Sequence, residues 1–212
     1  MKELKIVRKV AILGSFVLLV GIGGIYFSQQ ISSTSQFSDL GPVSTFELTD
    51  QRGQPFGKED LLGKVTVVDF FFTNCPGACP VMNYNIEQLY NRFAGNKRVQ
   101  FVSITIDPVR DTLAALRQYA EDHGVTDDRW KFLRGSREKV AWLSQDVFHL
   151  TAEPPNTHST RFAIADQEGH IRGYYRGTEE TVVEEVTAVI RKLLKKEPAE
   201  RKFSHAGSTT QQ

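Results

Sequence analysis

The chain from residue 40 onward alternates between apolar runs typical of strands and apolar stripes typical of helices. Two near-continuous apolar runs, VTVVDFFF (65–72) and VQFVSITI (99–106), are rich in β-branched and aromatic residues. Runs of this kind predict strands buried on both faces of a sheet. VSTFEL (43–48) alternates apolar and polar residues, and WKFL (130–133) predicts a further short strand. RFAIAD and HIRGYY, separated by QEG, predict a β-hairpin.

Apolar residues at helical spacing predict four helices between and after these strands. Asp111 precedes the apolar stripe that begins at Leu113, and a short polar side chain in this position predicts an N-cap. The last helix is predicted to begin near Thr178. The four stripes are Met82, Ile86, Leu89, Tyr90 and Phe93; Leu113, Leu116, Tyr119 and Ala120; Val140, Leu143 and Val147; and Val182, Val186, Val189, Ile190 and Leu193.

The order of these elements predicts an α/β domain with a thioredoxin-like fold. That fold joins a βαβ half to a ββα half, and right-handed crossovers keep the strands of the first half parallel. Here the first half is followed by one extra helix and one extra strand before the hairpin. We interpret the additional elements as an insertion between the two halves.

The N-terminal segment has a different pattern, with no charged residue from Val10 to Phe27. A helix of about 20 apolar residues spans the hydrocarbon core of a bilayer, so this segment predicts one transmembrane anchor. Four basic residues, Lys2, Lys5, Arg8 and Lys9, precede it and favour a cytoplasmic N-terminus. A cleaved signal peptide is the alternative, but no small-x-small cleavage site follows Tyr26 and Phe27.

The sequence therefore predicts five regions, with the folded domain on the periplasmic, extracytoplasmic side of the membrane. The domain itself is long enough to bury a core. A formal net charge of +1 over 212 residues argues against nucleic acid as a partner. The predicted regions are a basic cytoplasmic N-terminus (1–9), the anchor (10–27), a Ser-rich flexible tether (28–39), the domain (40–197) and a disordered tail (198–212).

Both cysteines of the chain, Cys75 and Cys79, lie in FFTNCPGACP, where a buried strand ends and a helix begins. Open α/β folds place their sites at this edge of the sheet. If the helix includes both cysteines, their spacing places them on one face. The free amide groups and the positive end of the helix dipole would then favour thiolates. Two soft thiolates on one side of a helix select Cu(I) over hard cations.

A cysteine pair of this kind has three other possible uses besides a metal site. A structural disulfide closing so small a loop would remove little chain entropy. Thioredoxin-type reductases use Cys-x-x-Cys, and this pair has one more residue between the cysteines. Peroxiredoxins carry a threonine three residues before the reactive cysteine, where this chain has Phe72 or Pro76. A redox pair and a metal site both remain open from the residues alone.

Three segments of the chain resemble the Sco/SenC family of copper-binding cytochrome oxidase assembly proteins. They are FFTNCPGACP, SITIDPVRDTLAALRQYAEDHG and NTHSTRFAIADQEGHIRGYYRG, and the resemblance runs from about Leu40 to Leu194. Gly77 and Ala78 stand between the cysteines, where an acidic residue is common in the family. This difference concerns the preference for a partner more than the copper site itself. The family's DPVRDT segment is matched by Asp107, Pro108, Arg110 and Asp111.

The resemblance implies that Cys75, Cys79 and His158 bind one copper, as Cu(I) or Cu(II). It also implies that the protein helps to load the CuA centre of cytochrome c oxidase subunit II after receiving copper from an upstream donor. A thiol-disulfide reductase, which would keep the copper-ligand cysteines of subunit II reduced, is the alternative function. His158 discriminates between the two, because a reductase has no evident need of a ligand that faces the cysteines.

The other four histidines are predicted to have no part in the site. His123 stands at a helix end before Gly124, which favours a capping or solvent-exposed role, and His149 lies between two apolar residues, which favours partly buried packing. His170 is expected to be exposed, and His205 lies in the tail. Asp107 follows its strand at the same sheet edge, where hydrogen bonding within a turn is as good an interpretation as contact with the site.

Overall fold

One mixed seven-stranded sheet organises the domain in the computed structural model, which describes residues 38–151 and 158–196. The strands are β1 (Glu47–Asp50), β2 (Pro55–Gly57), β3 (Val65–Phe71), β4 (Val99–Thr105), β5 (Trp130–Arg134), β6 (Arg161–Ala165) and β7 (Ile171–Arg176). Their order across the sheet is β2-β1-β5-β4-β3-β6-β7. The helices are α1 (Cys79–Arg92), α2 (Leu113–Asp122), α3 (Arg137–Trp142) and α4 (Val182–Lys195), with a 3-10 turn at Lys58–Leu61.

The four strands β4-β3-β6-β7 form the thioredoxin-like core, in which a βαβ half is joined to a ββα half. β3 is parallel to β4 and antiparallel to β6, which in turn is antiparallel to β7. The predicted insertion is confirmed: α2 leads into β5, which is parallel to β4 and extends the sheet on that side. The β1-β2 hairpin continues the sheet beyond β5. The sequence interpretation placed a turn over QRGQPFG (51–57) and missed β2 within it.

The core lies on both faces of the two central strands, in which every residue of β3 and β4 is buried. On one face Phe70 packs edge-on against Phe148. On the other face Phe71 packs against Phe132 and against Tyr119 of α2. Because successive side chains of a strand point to opposite faces, the adjacent phenylalanines of β3 serve two separate layers.

Some predicted boundaries were wrong. β1 begins at Glu47 rather than at residue 43, although Val43 and Phe46 before it are buried in the core. The last helix begins at Val182 rather than near Thr178, because turns occupy the residues after β7. The predicted third helix does form, and it continues from α3 into a π-helical turn at Leu143–Val147.

The prediction that Asp111 caps the second helix was wrong. The N-cap is Thr112, whose side chain accepts a hydrogen bond from the Ala115 amide at 3.2 Å. Asp111 is buried instead and accepts hydrogen bonds from the Thr73 amide at 3.2 Å, from the Thr73 hydroxyl at 2.5 Å and from the Thr105 hydroxyl. Asp111 therefore ties the loop after β4 to the loop after β3, which contains the first cysteine.

The predicted anchor and tail fall outside the described residues, as does nearly all of the predicted tether. Within the described ranges, none of the helices combines the length and the apolar character needed to cross a bilayer.

The two neighbouring residues Asp111 and Thr112 should differ in their effect on stability. Asp111→Asn leaves three buried or half-buried donors facing an amide instead of a carboxylate, and should lower the free energy of unfolding by about 2–4 kcal/mol. Thr112→Ala removes one cap and should cost about 1 kcal/mol. Urea unfolding of both variants provides the measurement. A greater loss of the free energy of unfolding in Thr112→Ala than in Asp111→Asn would contradict the conclusion that Asp111 links the two loops.

Candidate metal centre

Three potential ligands converge at the carboxyl end of β3: Cys75, Cys79 and His158. Their ligand atoms all lie within 4.8 Å of one another. His158 Nε2 is 3.0 Å from Cys79 Sγ and 3.6 Å from Cys75 Sγ. Both cysteines are free thiols. Two sulfurs and one imidazole nitrogen therefore face a common point.

The fold delivers these side chains from three directions. Cys79 is the first residue of α1, whereas Cys75 lies in the loop between β3 and that helix. The helix therefore does not include both cysteines, and the loop conformation rather than helical spacing brings them together. His158 stands shortly before β6, and the antiparallel pairing of β6 with β3 brings it to the end of β3.

The His158 ring is oriented with one nitrogen available to the cysteines. Its Nδ1–H donates a hydrogen bond to the Ser159 carbonyl oxygen at 2.8 Å, which assigns the lone pair to Nε2, the atom nearest the sulfurs. Phe72 packs against the ring nearly perpendicularly, with ring centroids 5.8 Å apart. Burial lowers the pKa of His158 below its ordinary value of 6.5, although the Ser159 carbonyl opposes this. The imidazole is therefore neutral at neutral pH and ready to bind a cation.

The two thiols differ in their exposure to solvent. Cys79 is 2% exposed, whereas Cys75 is partly exposed. Burial raises the pKa of Cys79 well above its ordinary value, and the neighbouring Cys75 adds to this increase. The helix terminus was expected to favour the thiolate forms. At Cys79 the backbone amide of Phe72 does favour the thiolate, but the loss of solvation is the larger effect and raises the pKa.

A buried carboxyl group that the sequence interpretation overlooked lies in β3. Asp69 is fully buried, and its Oδ1 accepts a hydrogen bond from the Ser103 hydroxyl at 2.6 Å. Its Oδ2 has no hydrogen-bond partner among the described residues. Burial raises the pKa of Asp69 from 3.8 to about 7, although the Ser103 hydrogen bond opposes the increase. The presence of one acidic residue in the apolar run VTVVDFFF was the sequence feature that could have revealed this buried carboxyl group.

Two other histidines take part in structural contacts. His123 caps the C-terminus of α2, in agreement with its predicted role, and its Nδ1 pairs with Glu87. His170 is partly exposed and pairs through Nδ1 with Asp39 at 2.9 Å.

The prediction that His149 is a partly buried packing residue was wrong. It is exposed, has a positive φ of 49° and contacts the Gln145 carbonyl oxygen through Nδ1 at 3.1 Å. Its apolar neighbours Phe148 and Leu150 are both buried, so the chain turns the histidine between them outward. His205 lies outside the described residues.

Asp107 belongs to a turn rather than to the ligand set. Its carbonyl oxygen accepts the Asp111 amide at 2.9 Å, and its carboxylate accepts Arg110 Nη1 at 2.9 Å. Its backbone amide donates to the Thr105 hydroxyl at 3.0 Å. These contacts agree with the turn interpretation of the DPVRDT segment.

A groove with a volume of about 180 Å³ borders His158. Its other walls come from Ile106, the residue after β4, and from α3 with its π-helical continuation. A larger cavity of about 430 Å³ lies elsewhere, lined by Arg52, Arg117 and Asp128 among others, and touches none of the three candidate ligands. Of these two cavities, the smaller one thus borders the candidate ligands.

A thioredoxin-like domain with two thiols and an imidazole at the end of β3 defines a class of metal-binding or redox-active proteins. The SCO1/SenC family model matches residues 35–195 of the chain. The chain therefore belongs to the SCO1/SenC family, as its motifs predicted.

Three solved structures illustrate the relationship. A SCO1/SenC family lipoprotein from Bacillus anthracis str. Ames is 34% identical, with a TM-score of 0.67 over 74% of this chain and 98% of that chain. BsSco, a member of the Sco family of cytochrome c oxidase assembly proteins in which a disulfide switch was identified, is 25% identical, with a TM-score of 0.69 over 77% and 100%. Yeast Sco1 with copper bound is 24% identical and shares the fold, with a TM-score of 0.57 over 71% and 89%.

The protonation of Asp69 should make stability depend on pH. The folded state holds the proton more tightly than the unfolded state, so the wild type should lose stability as pH rises from about 4 to about 7. Asp69→Asn keeps the shape and cannot ionise. Its free energy of unfolding relative to the wild type should therefore increase by up to about 4 kcal/mol across this range. Urea unfolding at several pH values measures the difference, and a pH-independent difference would refute the prediction.

Proposed function

We propose that this protein is a membrane-anchored copper chaperone that binds one copper through Cys75, Cys79 and His158. It assists assembly of the CuA centre of cytochrome c oxidase. The observation that carries the proposal is the convergence of two thiols and one imidazole lone pair within 4.8 Å. Family membership supports it, since BsSco is counted among the oxidase assembly proteins and yeast Sco1 has been seen with copper bound.

The donor set suits copper in both oxidation states. Thiolates are soft ligands that favour Cu(I), and imidazole is a good ligand for Cu(II). Copper binding requires deprotonated sulfur, so the incoming ion displaces the proton that burial otherwise keeps on Cys79. His158 already presents a neutral nitrogen, because its other nitrogen donates to Ser159. The protein thus supplies a preoriented imidazole and two sulfurs that exchange protons for metal.

Unequal exposure of the three ligands gives transfer a direction. Cys79 and His158 are 2% and 4% exposed, whereas Cys75 is partly open to solvent. A ligand from a partner can therefore reach the copper first on the Cys75 side. Replacing that sulfur would let the copper move outward while the two buried ligands still hold it.

The compartment and partners follow from the proposed role. The anchor at 10–27 would keep the N-terminus inside and the domain on the extracytoplasmic side of the cytoplasmic membrane. There the domain would accept copper from an upstream donor and deliver it to oxidase subunit II.

A thiol-disulfide reductase acting on subunit II is the second candidate. The free thiols lie close together, and partly exposed Cys75 is placed to attack a disulfide in another protein. The disulfide switch of BsSco shows that redox chemistry occurs in a relative. In this chain the imidazole facing the sulfurs favours metal binding, because disulfide exchange between two cysteines does not require it.

Oxidation of the cysteine pair should abolish tight copper binding, since a disulfide offers no thiolate. The full-length chain should bind one equivalent of Cu(I) when reduced under anaerobic conditions and none tightly once Cys75 and Cys79 are joined. Titration of both forms against a competing Cu(I) chelator measures this. Stoichiometric uptake by the disulfide form with unchanged affinity would show that the sulfurs are not the ligands.

Removal of His158 should affect the two oxidation states unequally. His158→Ala should keep Cu(I) on the two sulfurs. Loss of a residue that only supports a metal ligand lowers metal affinity about 10–100-fold. Loss of His158, a direct ligand, should lower the affinity for Cu(II) by more than this. Copper titrations with each ion provide the measurement, and oxidase activity in cells grown with scarce copper should fall as well. His149→Ala is the matched control, because it removes an exposed imidazole outside the site and should leave both affinities unchanged.

The same variant separates the two candidate functions. A reductase would keep its cellular activity in His158→Ala and lose it only when a cysteine is replaced. Unchanged Cu(II) binding together with full oxidase activity in His158→Ala would therefore reject the chaperone and favour the reductase.

A further inference from the structure

Phe72, the first residue after β3, differs in its surroundings from the two phenylalanines before it. Phe70 and Phe71 are fully buried and pack against other aromatic rings of the core, whereas Phe72 is partly exposed. In the described part of the chain, the only aromatic ring that Phe72 contacts is the imidazole of His158. The ring of Phe72 therefore packs against the candidate metal centre rather than in the aromatic core.

The contact with Phe72 supplies a constraint that the hydrogen bond of His158 leaves open. Rotation about the last side-chain torsion of a histidine is only weakly restricted, so packing must fix the plane of the ring. The hydrogen bond from Nδ1 to the Ser159 carbonyl oxygen fixes one edge of the imidazole. The Phe72 ring stands at 85° to it, with centroids 5.8 Å apart, a favourable arrangement for two aromatic groups. Together the two contacts define the direction in which Nε2 points.

The backbone of Phe72 is fixed on both sides and faces the other buried ligand, Cys79. Phe71, the residue before it, is buried in β3. Thr73, the residue after it, is held by the Asp111 carboxylate. The amide of Phe72 lies close enough to the Cys79 sulfur to favour its thiolate. One residue thus contacts two ligands that come from separate segments of the chain, the start of α1 and the stretch before β6.

We propose that Phe72 is a positioning residue of the copper centre and that its ring holds the imidazole of His158 so that Nε2 faces Cys79. The proposal rests on the proposed function and names a residue outside the three ligands that determines how well the centre binds Cu(II). A site works well only when its groups are held within about 0.5 Å and 10–20° of the productive geometry. Two thiolates alone satisfy Cu(I), whereas Cu(II) gains more from the imidazole. A tilt of the His158 ring should therefore weaken the binding of Cu(II) much more than that of Cu(I).

A purely structural role for Phe72 makes a different prediction. If the side chain only filled space, leucine would replace it with little loss. Any damage to the loop would then weaken the binding of Cu(I) and Cu(II) alike, because both ions use the sulfurs. An orienting role requires the aromatic ring and acts through the imidazole. The two roles can therefore be separated by keeping or removing the ring and by comparing the two oxidation states.

Copper titrations of ring variants test the proposal, with the full-length reduced chain in detergent, under anaerobic conditions, against a competing chelator for each ion. Phe72→Leu keeps an apolar side chain without a ring. Its Cu(II) affinity should fall about 10–100-fold, the loss expected when a residue that supports a metal ligand is removed, and its Cu(I) affinity should stay within about twofold of the wild type. Phe72→Tyr retains the ring and should match the wild type for both ions. Tyr84→Leu removes a ring that is 60% exposed on α1 and is the matched control, with both affinities unchanged.

The His158→Ala background shows whether the ring acts through the imidazole. With no imidazole to orient, Phe72→Leu should change the Cu(II) affinity of His158→Ala by less than about twofold, so the effects of the two substitutions should not add. Equal losses of Cu(II) affinity in the two backgrounds would refute the positioning role. A Phe72→Leu variant that lost Cu(I) and Cu(II) affinity alike would refute it as well.

The wild type distinguishes failure of this proposal from failure of the proposed function. A wild-type chain that binds no copper would refute the copper chaperone and the positioning role together. A wild type that binds both ions, compared with a Phe72→Leu variant of unchanged Cu(II) affinity, would refute the positioning role alone.

Discussion

Antiparallel pairing of β6 with β3 is the constraint on which the candidate metal centre depends. The pairing joins Val68 to Ala163 and Val67 to Ile164, and it brings the residues before β6 to the end of β3. Strand residues alternate between faces, so a slip of one residue would turn the side chains of β6 to the wrong face of the sheet. The buried apolar residues of β6 fix this register. The position of His158 is thus determined by core packing in the strand that follows it.

Burial shapes the chemistry of this end of the sheet in two ways. It keeps His158 neutral, which prepares the ring for a metal, and it favours the protonated thiol of Cys79, which the metal must displace. The same loss of solvation raises the pKa of Asp69 deeper in β3. A helix terminus stabilises negative charge by a modest amount, and full desolvation of a thiolate costs more. A cation bound at this centre would compensate the negative charge that burial disfavours on the sulfurs.

Sequence patterns were sufficient for much of the fold and for the candidate ligands. The apolar runs identified β3 and β4 because strands buried on both faces have a distinctive composition, and the motifs led to Cys75, Cys79 and His158. The role of Asp111 was missed because its donors, Thr73 and Thr105, come together only when β3 and β4 pair. The exposure of His149 was missed because a single positive φ reverses the direction expected from its apolar neighbours. Contacts between distant segments and local backbone reversals leave no periodic signal.

The Asp111 carboxylate couples two loops of the domain. One side chain holds the loop that contains Cys75 against the loop that contains Val109. Local opening of this junction would therefore release the loop after β4 and the loop that carries Cys75, the partly exposed sulfur, in the same event. The position of that sulfur thus depends on a carboxylate that lies outside the candidate ligand set and more than thirty residues away along the chain.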